Sequence, residues 1–445
     1  MLGDKTPGMN EEKVTQPPVP AVRPVPYPPG PAARRADPDG SELLTGPQVA
    51  DLLRAAVSHG GGTLQSWELD HVDANPHHST TATYTAVVDW PFGRRSELLG
   101  ISARANGRTN SDERAVIFAD GDREVAVWLY PRDPDLPGLV RVAFPGEMAK
   151  LINEYGVLGD PVGEHQVQLE MIGYRPRRRA VLKATVTQVG PVPGRQVNLF
   201  VKVLRQQVFN EVLQRHRLLR AAGVPAPPVA AATQDHVLVL RELIGRPLAA
   251  AIFDRTPPCT AEQLIGVLDA MPQQVVGLSR RAAWSDAIEH YAEMVLQALP
   301  DAEPQLRWMT DQIVTGLNGI PPGNEPTHGD FHEGQLFVHG GQVTGILDVD
   351  TVGPGRRADD LACLVAHMST VQRMNAKQAA RVQHLLSTWV PVFDERVDPV
   401  ELRLRAAAVI ISLATGPYRG QEHDWETETR AILHAAEVLV RQVAS

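Results

Sequence analysis

The chain has 445 residues, 43% hydrophobic and 21% charged, about three times the usual domain prior of roughly 150, so a single small domain is excluded and two or three units with substantial cores are expected. Its formal charge of -9 and sequence pI near 5.9 repel nucleic-acid phosphates overall. Only Cys259 and Cys363 occur, outside any C-x-x-C pair, and neither a signal peptide nor an uninterrupted apolar run of roughly 18 residues is present, so the expectation is a soluble cytoplasmic protein without disulfide framework, zinc ribbon, membrane or nucleic-acid partner.

Residues 1–44 include QPPVPAVRPVPYPPGPAARRADP, too rich in proline and too poor in large apolar side chains to offset the cost of ordering, and read as a disordered tail. Residues 45–156 read as a small α+β domain. In TGPQVADLLRAAVSHGGG, Val49, Leu52, Leu53 and Val57 fall at helical spacing and Gly60 to Gly62 end the pattern. Strands follow in TATYTAVVDW, SELLGISARA, RAVIFA and EVAVWLY, each closed by turn residues. This region offers no catalytic constellation: His77 and His78 stand in a polar turn, and Trp67, Trp90 and Trp128 read as core or lobe-contact residues.

In residues 157–247, QVQLEMIGYRPRRRAVLKATVTQVG and QVNLFVKVLRQ predict a three-stranded meander. Its basic run, Arg175, Arg177, Arg178 and Arg179, is either a solvated strand-turn surface or a phosphate contact. FNEVLQRHRLLRAAGVPAPP puts Val212, Leu213, Leu218 and Leu219 on a helical stripe stopped by Gly223 and prolines, and HVLVLREL is a further strand. Residues 248–445 are mainly helical, through LACLVAHMSTV, AARVQHLLSTWVPVF, ELRLRAAAVIISLA and ETETRAILHAAEVLVRQV. Two stretches interrupt them, THGDFHEGQLFV and QVTGILDVDTVGPG, a loop and a short hairpin.

THGDFHEGQLFV admits three readings. His328, Asp330 and His332 alternate and offer a metal imidazole and carboxylate ligands, which would make a metal-dependent hydrolase. The helical H-E-x-x-H zinc pattern fails, because Leu336 stands where its second His belongs. In the second reading, a phosphoryl-transfer loop, Asp330 accepts the proton of a substrate hydroxyl and Gln335, five residues on, holds a metal; the second carboxylate this needs is Asp348 in GILDVDT. A plain polar turn explains the first motif and not the second.

H-G-D-x-x-x-x-Q, then I-L-D-x-D, a Gly-containing turn and D-D-L-A resembles the aminoglycoside phosphotransferase and choline kinase branch of the protein-kinase-like superfamily. More narrowly, H-G-D-x-H-x-G-Q resembles the maltokinase and glucosamine kinase group, with Gln for the usual Asn. The resemblance covers roughly residues 160 to 440. It implies an α+β, bilobal protein-kinase-like fold, with a mainly β N-lobe at 157–247 and a mainly helical C-lobe at 248–445, preceded by a cap domain at 45–156. It also implies ATP in the cleft and Mg2+ as cofactor. Upstream order agrees: Lys202 is central on a strand and Glu211 begins the next helix, as a phosphate-holding lysine and its glutamate partner require.

On this resemblance Asp330 is the base, with His328 ordering the catalytic loop and Asp360 bracing it. Lys202 paired with Glu211 positions the phosphates, Glu242 and Leu243 meet the adenine, and Gln335, Asp348 and Asp350 hold the metal. IGYRPRRRAV lacks G-x-G-x-x-G, so the phosphates lean on Lys202, metal and Arg177 to Arg179. The implied reaction moves the γ-phosphate of ATP to a hydroxyl of a sugar, an amino sugar or an aminoglycoside, with GPYRGQEHDWETE (Tyr418, Asp424, Trp425, Glu426) near the acceptor. The third class is an ATP-binding pseudokinase. Oligomeric state is not legible.

Overall fold

The computed structural model describes residues 25–26, 37, 39–75, 78–105, 114–120, 123–188, 194–371, 374–420 and 422–443. The first unit contains β1 (Val25–Pro26), α1 (Ser41–Thr45), α2 (Val49–His59), β2 (Thr63–Asn75), β3 (Ser79–Trp90), β4 (Gly93–Ala105), β5 (Val116–Asp120) and β6 (Arg123–Leu129). The strands form one sheet in the order β1-β5-β6-β4-β3-β2. Helix α2 presents Val49, Leu52, Leu53 and Val57 to Tyr84, Val88, Ile101 and Val127 of the sheet, as its helical stripe requires.

Two features of this unit depart from expectation. Edge strand β2 is absent from the four expected strands, because Leu64, Leu69 and Val72 are sparse among Glu68, Asp70 and Asp73; pairing along the length of β3 makes it a strand. Trp67 on that strand is 39% exposed and is not a core residue. The folded chain also begins before residue 45. Leu43 and Leu44 of α1 are buried, and the Asp37 carboxylate accepts from Glu42 N and Leu43 N at 3.0 Å each. Apolar burial and this cap withdraw the last residues from the expected tail, of which most lies outside the described residues.

The second unit contains α3 (Pro145–Glu154), β7 (Val167–Arg175), β8 (Arg179–Thr187), β9 (Gln196–Leu204), α4 (Gln206–Ala221), β10 (Val229–Ala232) and β11 (Val237–Arg241). Its five strands are antiparallel in the order β10-β11-β9-β8-β7. One face of the sheet packs on Leu136, Leu139, Met148, Leu151 and Ile152, while α4 covers the other through Phe209 and Val212. Residues 136–156 therefore complete the N-lobe core and not that of the cap, and the boundary expected after Gly156 falls before Leu136. Where a segment buries its apolar side chains decides its domain.

The C-lobe contains β12 (Arg246–Pro247), α5 (Leu248–Ala251), α6 (Ala261–Asp269), α7 (Ile288–Ala298), α8 (Glu303–Leu317), β13 (Glu325–Thr327), β14 (Leu336–His339), β15 (Gln342–Ile346), β16 (Gly353–Gly355), α9 (Arg357–Ser369), α10 (Ala376–Asp394), α11 (Pro399–Leu413), α12 (Gly416–Arg419) and α13 (Trp425–Arg441). Helix α11 is buried almost all round and forms the centre of the lobe. Among the described residues no helix is long and apolar enough to cross a membrane, and both cysteines are free and buried.

The fold is thus α+β and bilobal: a five-stranded sheet with one helix between its third and fourth strands, joined to a helical lobe and preceded by the cap sheet. This is the arrangement expected from the resemblance of the loop signature. Two small sheets in the C-lobe bring two loop segments together, because β13 pairs with β16 and β14 with β15. Residues 328–335 and 347–352 consequently leave their strands side by side.

Candidate active site

The loop that follows β13 is braced from inside its own lobe. The Asp360 carboxylate, fully buried in the first turn of α9, accepts from His328 N and Gly329 N at 2.8 Å each. Burial, partly offset by His328 and these two backbone donors, pushes its carboxyl up to about 6. His328 is fully buried; its Nε2 lies 2.8 Å from the Leu347 carbonyl, and its own carbonyl accepts from Thr351 Oγ1. Gly329 has φ +80, and a Cβ there would lie 2.9 Å from the Thr351 carbonyl, so only glycine allows this approach. His328 therefore stands behind the loop, while Asp330 emerges from it.

Asp330 faces a chamber of about 600 Å³ that also holds Arg179, Glu211, Asp348 and Asp350. Arg281 lies 3.4 Å from its carboxylate, donates to the Gly329 carbonyl at 2.8 Å, and stacks over Trp284. No local motif marked Arg281, because its loop lies far from Asp330 in sequence and only folding joins them.

Asp348 has φ +48, a left-handed conformation that turns the chain after β15 and puts its carboxylate at the junction of two cavities. It accepts from Lys202 Nζ at 2.9 Å and from Arg179 at 3.2 Å, while Asp350 accepts from the same Lys202 at 2.8 Å. Burial alone would raise the Asp348 carboxyl; Lys202 and Arg179 outweigh it and hold the group well below the usual carboxylate range. Burial disfavours charged Lys202 in turn, and Asp350 and Asp348 overcome this and raise the ammonium.

Glu211 does not pair with Lys202. Its carboxylate accepts from Arg215 at 3.1 Å and from Ser279 N, and Arg215 is itself anchored on the Val352 carbonyl. Two aspartates already satisfy the ammonium, and the arginine four residues along α4 draws the glutamate toward the C-lobe. The expected lysine–glutamate pair is replaced by a lysine–aspartate–aspartate cluster.

The second cavity, of about 430 Å³, is an apolar slot between Val181, Phe200 and Leu240 of the N-lobe and Phe337 and Leu347 of the C-lobe. Glu242 and Leu243 line it just after β11, and Lys202, Asp348 and Gln335 line it as well. The Gln335 amide is 3.2 Å from His332 Nε2. The two cavities share Arg175, Arg179 and Asp348 in their linings, so slot and chamber adjoin.

The four arginines of the basic run part ways, and Arg175 lines both cavities. Only Arg179 reaches the carboxylates of the cleft. Arg177 is buried at φ +60 with its guanidinium over Trp128, and Arg178 pairs with Asp73 of the cap at 2.8 Å. Arg177 is thus not available to phosphate, contrary to expectation. Behind the turn, buried Asp133 accepts from Arg177 N at 2.7 Å, Tyr174 Oη at 2.8 Å and Asp135 N at 2.9 Å.

The hydrolase set His328, Asp330 and His332 does not gather. Among the described residues the histidine and carboxylate atoms that converge are those of His332, Glu333 and His367. The rings of His332 and His367 stack at 4.1 Å and 8°, which sets their in-plane lone pairs side by side and not toward one ion. At the expected acceptor segment, Tyr418 contacts Trp425 edge-on and faces the cap, whereas Asp424 and Glu426 are exposed.

The phosphotransferase enzyme family model matches residues 197–394. Those residues run from β9 through α10 and include Lys202, Asp330, Gln335, Asp348 and Asp350. No curated protein matches significantly. Among solved structures, a thermostable mutant of aminoglycoside phosphotransferase APH(4)-Ia in ternary complex with ADP and hygromycin B is 16% identical, with a TM-score of 0.43 and coverage of 66% of this chain and 98% of that one. Choline kinase from Cryptosporidium parvum is 10% identical at a TM-score of 0.43, covering 66% and 96%. Plasmodium vivax ethanolamine kinase is 13% identical at 0.40, covering 65% and 88%.

Proposed function

We propose that the chain is an ATP- and Mg2+-dependent kinase of a small hydroxylated molecule, nearest in its loop signature to the maltokinase and glucosamine kinase group. The observation that carries this reading is an apolar slot adjoining a charged chamber, with Asp348 lining both, Lys202 bonded to Asp348 from the slot and Asp330 in the chamber. A flat base beside Glu242 and Leu243 would leave its phosphates beside Lys202 and Arg179 and its terminal phosphate before Asp330.

Asp348 and Asp350 with the Gln335 amide are hard oxygen donors of the kind Mg2+ prefers. When bound, the ion would supply charge neutralisation on the phosphates. Asp330 orients the acceptor hydroxyl and takes its proton, Arg281 holds the Asp330 loop by its Gly329 carbonyl, and Lys202 and Arg179 add fixed positive charge. Asp424 and Glu426, expected near the acceptor, are exposed and do not line the chamber before Asp330. The acceptor we propose is a hydroxyl of a sugar, an amino sugar or an aminoglycoside.

The test is thermal shift with Mg2+, ATP and both, followed by coupled ADP release with sugars, amino sugars and aminoglycosides. A joint ATP and Mg2+ shift with turnover on one class supports the reading. Nucleotide binding without turnover on any acceptor would leave the pseudokinase, and absence of a nucleotide shift at saturation would overturn the proposal.

A further inference from the structure

We propose that Asp73 of the cap is a positioning residue that latches the two lobes together beside the acceptor end of the cleft. Its carboxylate accepts at once from Arg178 of the N-lobe turn and from Arg419 of C-lobe helix α12. The role in acceptor binding rests on the kinase reading; the latch itself does not.

One carboxylate receives both guanidiniums, Arg178 at 2.8 Å and Arg419 at 3.1 Å. Asp73 is 17% exposed against 56% for Arg178, so the carboxylate is the sheltered centre of the cluster. Arg178 and Arg419 are far apart in sequence and belong to different lobes, and the acid between them comes from β2 of a third unit. Removing it leaves two like charges facing each other, and hence a contact that opens.

The place of the cluster gives it a role. Glu242 and Leu243, where the chain passes between lobes, line the slot and not the chamber, whereas Arg178 lines the chamber and not the slot. The latch thus stands at the end of the cleft away from the chain crossover. Arg178 lines the same chamber as Asp330, which puts the N-lobe half of the latch beside the catalytic loop.

The cap meets the N-lobe through aromatic contacts and the C-lobe across a cavity. Trp128 Nε1 donates to Tyr174 Oη, and Arg177 lies over the same indole. Between β2 and the C-lobe, by contrast, is a cavity of about 260 Å³ walled by Val72, Ala74, Met294, Tyr418 and Arg419. An inter-domain interface that is not large and apolar allows relative motion of the units it joins. Cap and N-lobe therefore move together, with Asp73–Arg419 as the contact that breaks when acceptor passes and re-forms behind it.

The test uses the full chain with Asp73→Asn, Arg419→Gln and the conservative Asp73→Glu. Without ligand, amide hydrogen exchange in residues 175–179 and 416–420 should rise about fivefold in Asp73→Asn, the scale of one partly sheltered ion pair. Arg419→Gln should reproduce the rise at 416–420, and Asp73→Glu should restore both segments. In turnover the acceptor KM should rise by about the same factor in Asp73→Asn while the ATP KM holds, and raised salt should bring the unaltered protein toward the variant. Unchanged exchange at 416–420 in Asp73→Asn, or failure of Asp73→Glu to restore it, would overturn the latch. If exchange responds but no acceptor is phosphorylated by the unaltered protein, the kinase reading falls and the latch stands.

Discussion

The loop that carries Asp330 and the turn that carries Arg179 face the same chamber and are held in opposite ways. The loop is braced within its lobe, by buried Asp360, by His328 on the Leu347 carbonyl and by a glycine that no other residue replaces. The turn has no glycine signature and a left-handed arginine, and its supports come from outside the five-stranded sheet: Asp133 in the segment leading to it, Trp128 and Asp73 in the cap. The Asp330 loop is thus held by contacts within its own lobe, whereas the turn that carries Arg179 is tied to a separate domain.

The sharpest separation of the two regions comes from Asp330→Asn. It should lower kcat by about 10²–10⁴-fold, the usual worth of a general base, while the ATP-induced thermal shift remains. Asp348→Ala, at the junction of slot and chamber, should remove the Mg2+-dependent part of nucleotide binding, measured by calorimetry with and without the ion. Asp360→Ala strands two buried backbone donors and should cost roughly 3 kcal/mol in urea unfolding, with kcat falling too. Asp133→Ala loosens the turn from behind and should cost roughly 2 kcal/mol, raising the ATP KM more than it lowers kcat. Equal effects of these two alanines on kcat and on ATP KM would erase the distinction drawn between loop and turn.

The smallest effect concerns pH. His216, buried beside the slot, is lowered to about 4, first by burial and then by Lys202. The unfolded chain therefore binds a proton that the folded state refuses, and stability is lost as pH falls from about 6.5 toward 4. Asp360, raised to about 6, acts with opposite sign between about 4 and 6 and offsets part of the loss. Tm measured across this range should fall on acidification, and His216→Leu should flatten the slope.

Much of the loop was legible because its parts are neighbours in sequence. Asp330, Gln335 and Asp348 are linked by short spacings, and the structure brings Asp348 and Asp330 to one chamber and Gln335 with Asp348 to the adjoining slot. The helical stripes of α2, α4 and α9 to α11 were equally plain, since a helix side that packs must repeat at helical period. β2 was not, because an edge strand needs few apolar residues, and with it Asp73 went unremarked.

The amino-acid sequence by itself determined the alternation of β-rich and helical segments, the order of Lys202, Asp330 and Asp348, and the absence of a glycine-rich turn. Those are properties of backbone preference and of short chemical spacing, which neighbouring residues settle among themselves. Only the tertiary structure decided that Lys202 pairs with Asp348 and Asp350 while Glu211 turns to Arg215, that one arginine of four reaches the cleft carboxylates, and that residues 136–156 belong to the N-lobe. A charged side chain accepts any partner of opposite sign within reach, and a stretch of apolar residues any complementary face, so proximity in the folded chain makes the choice.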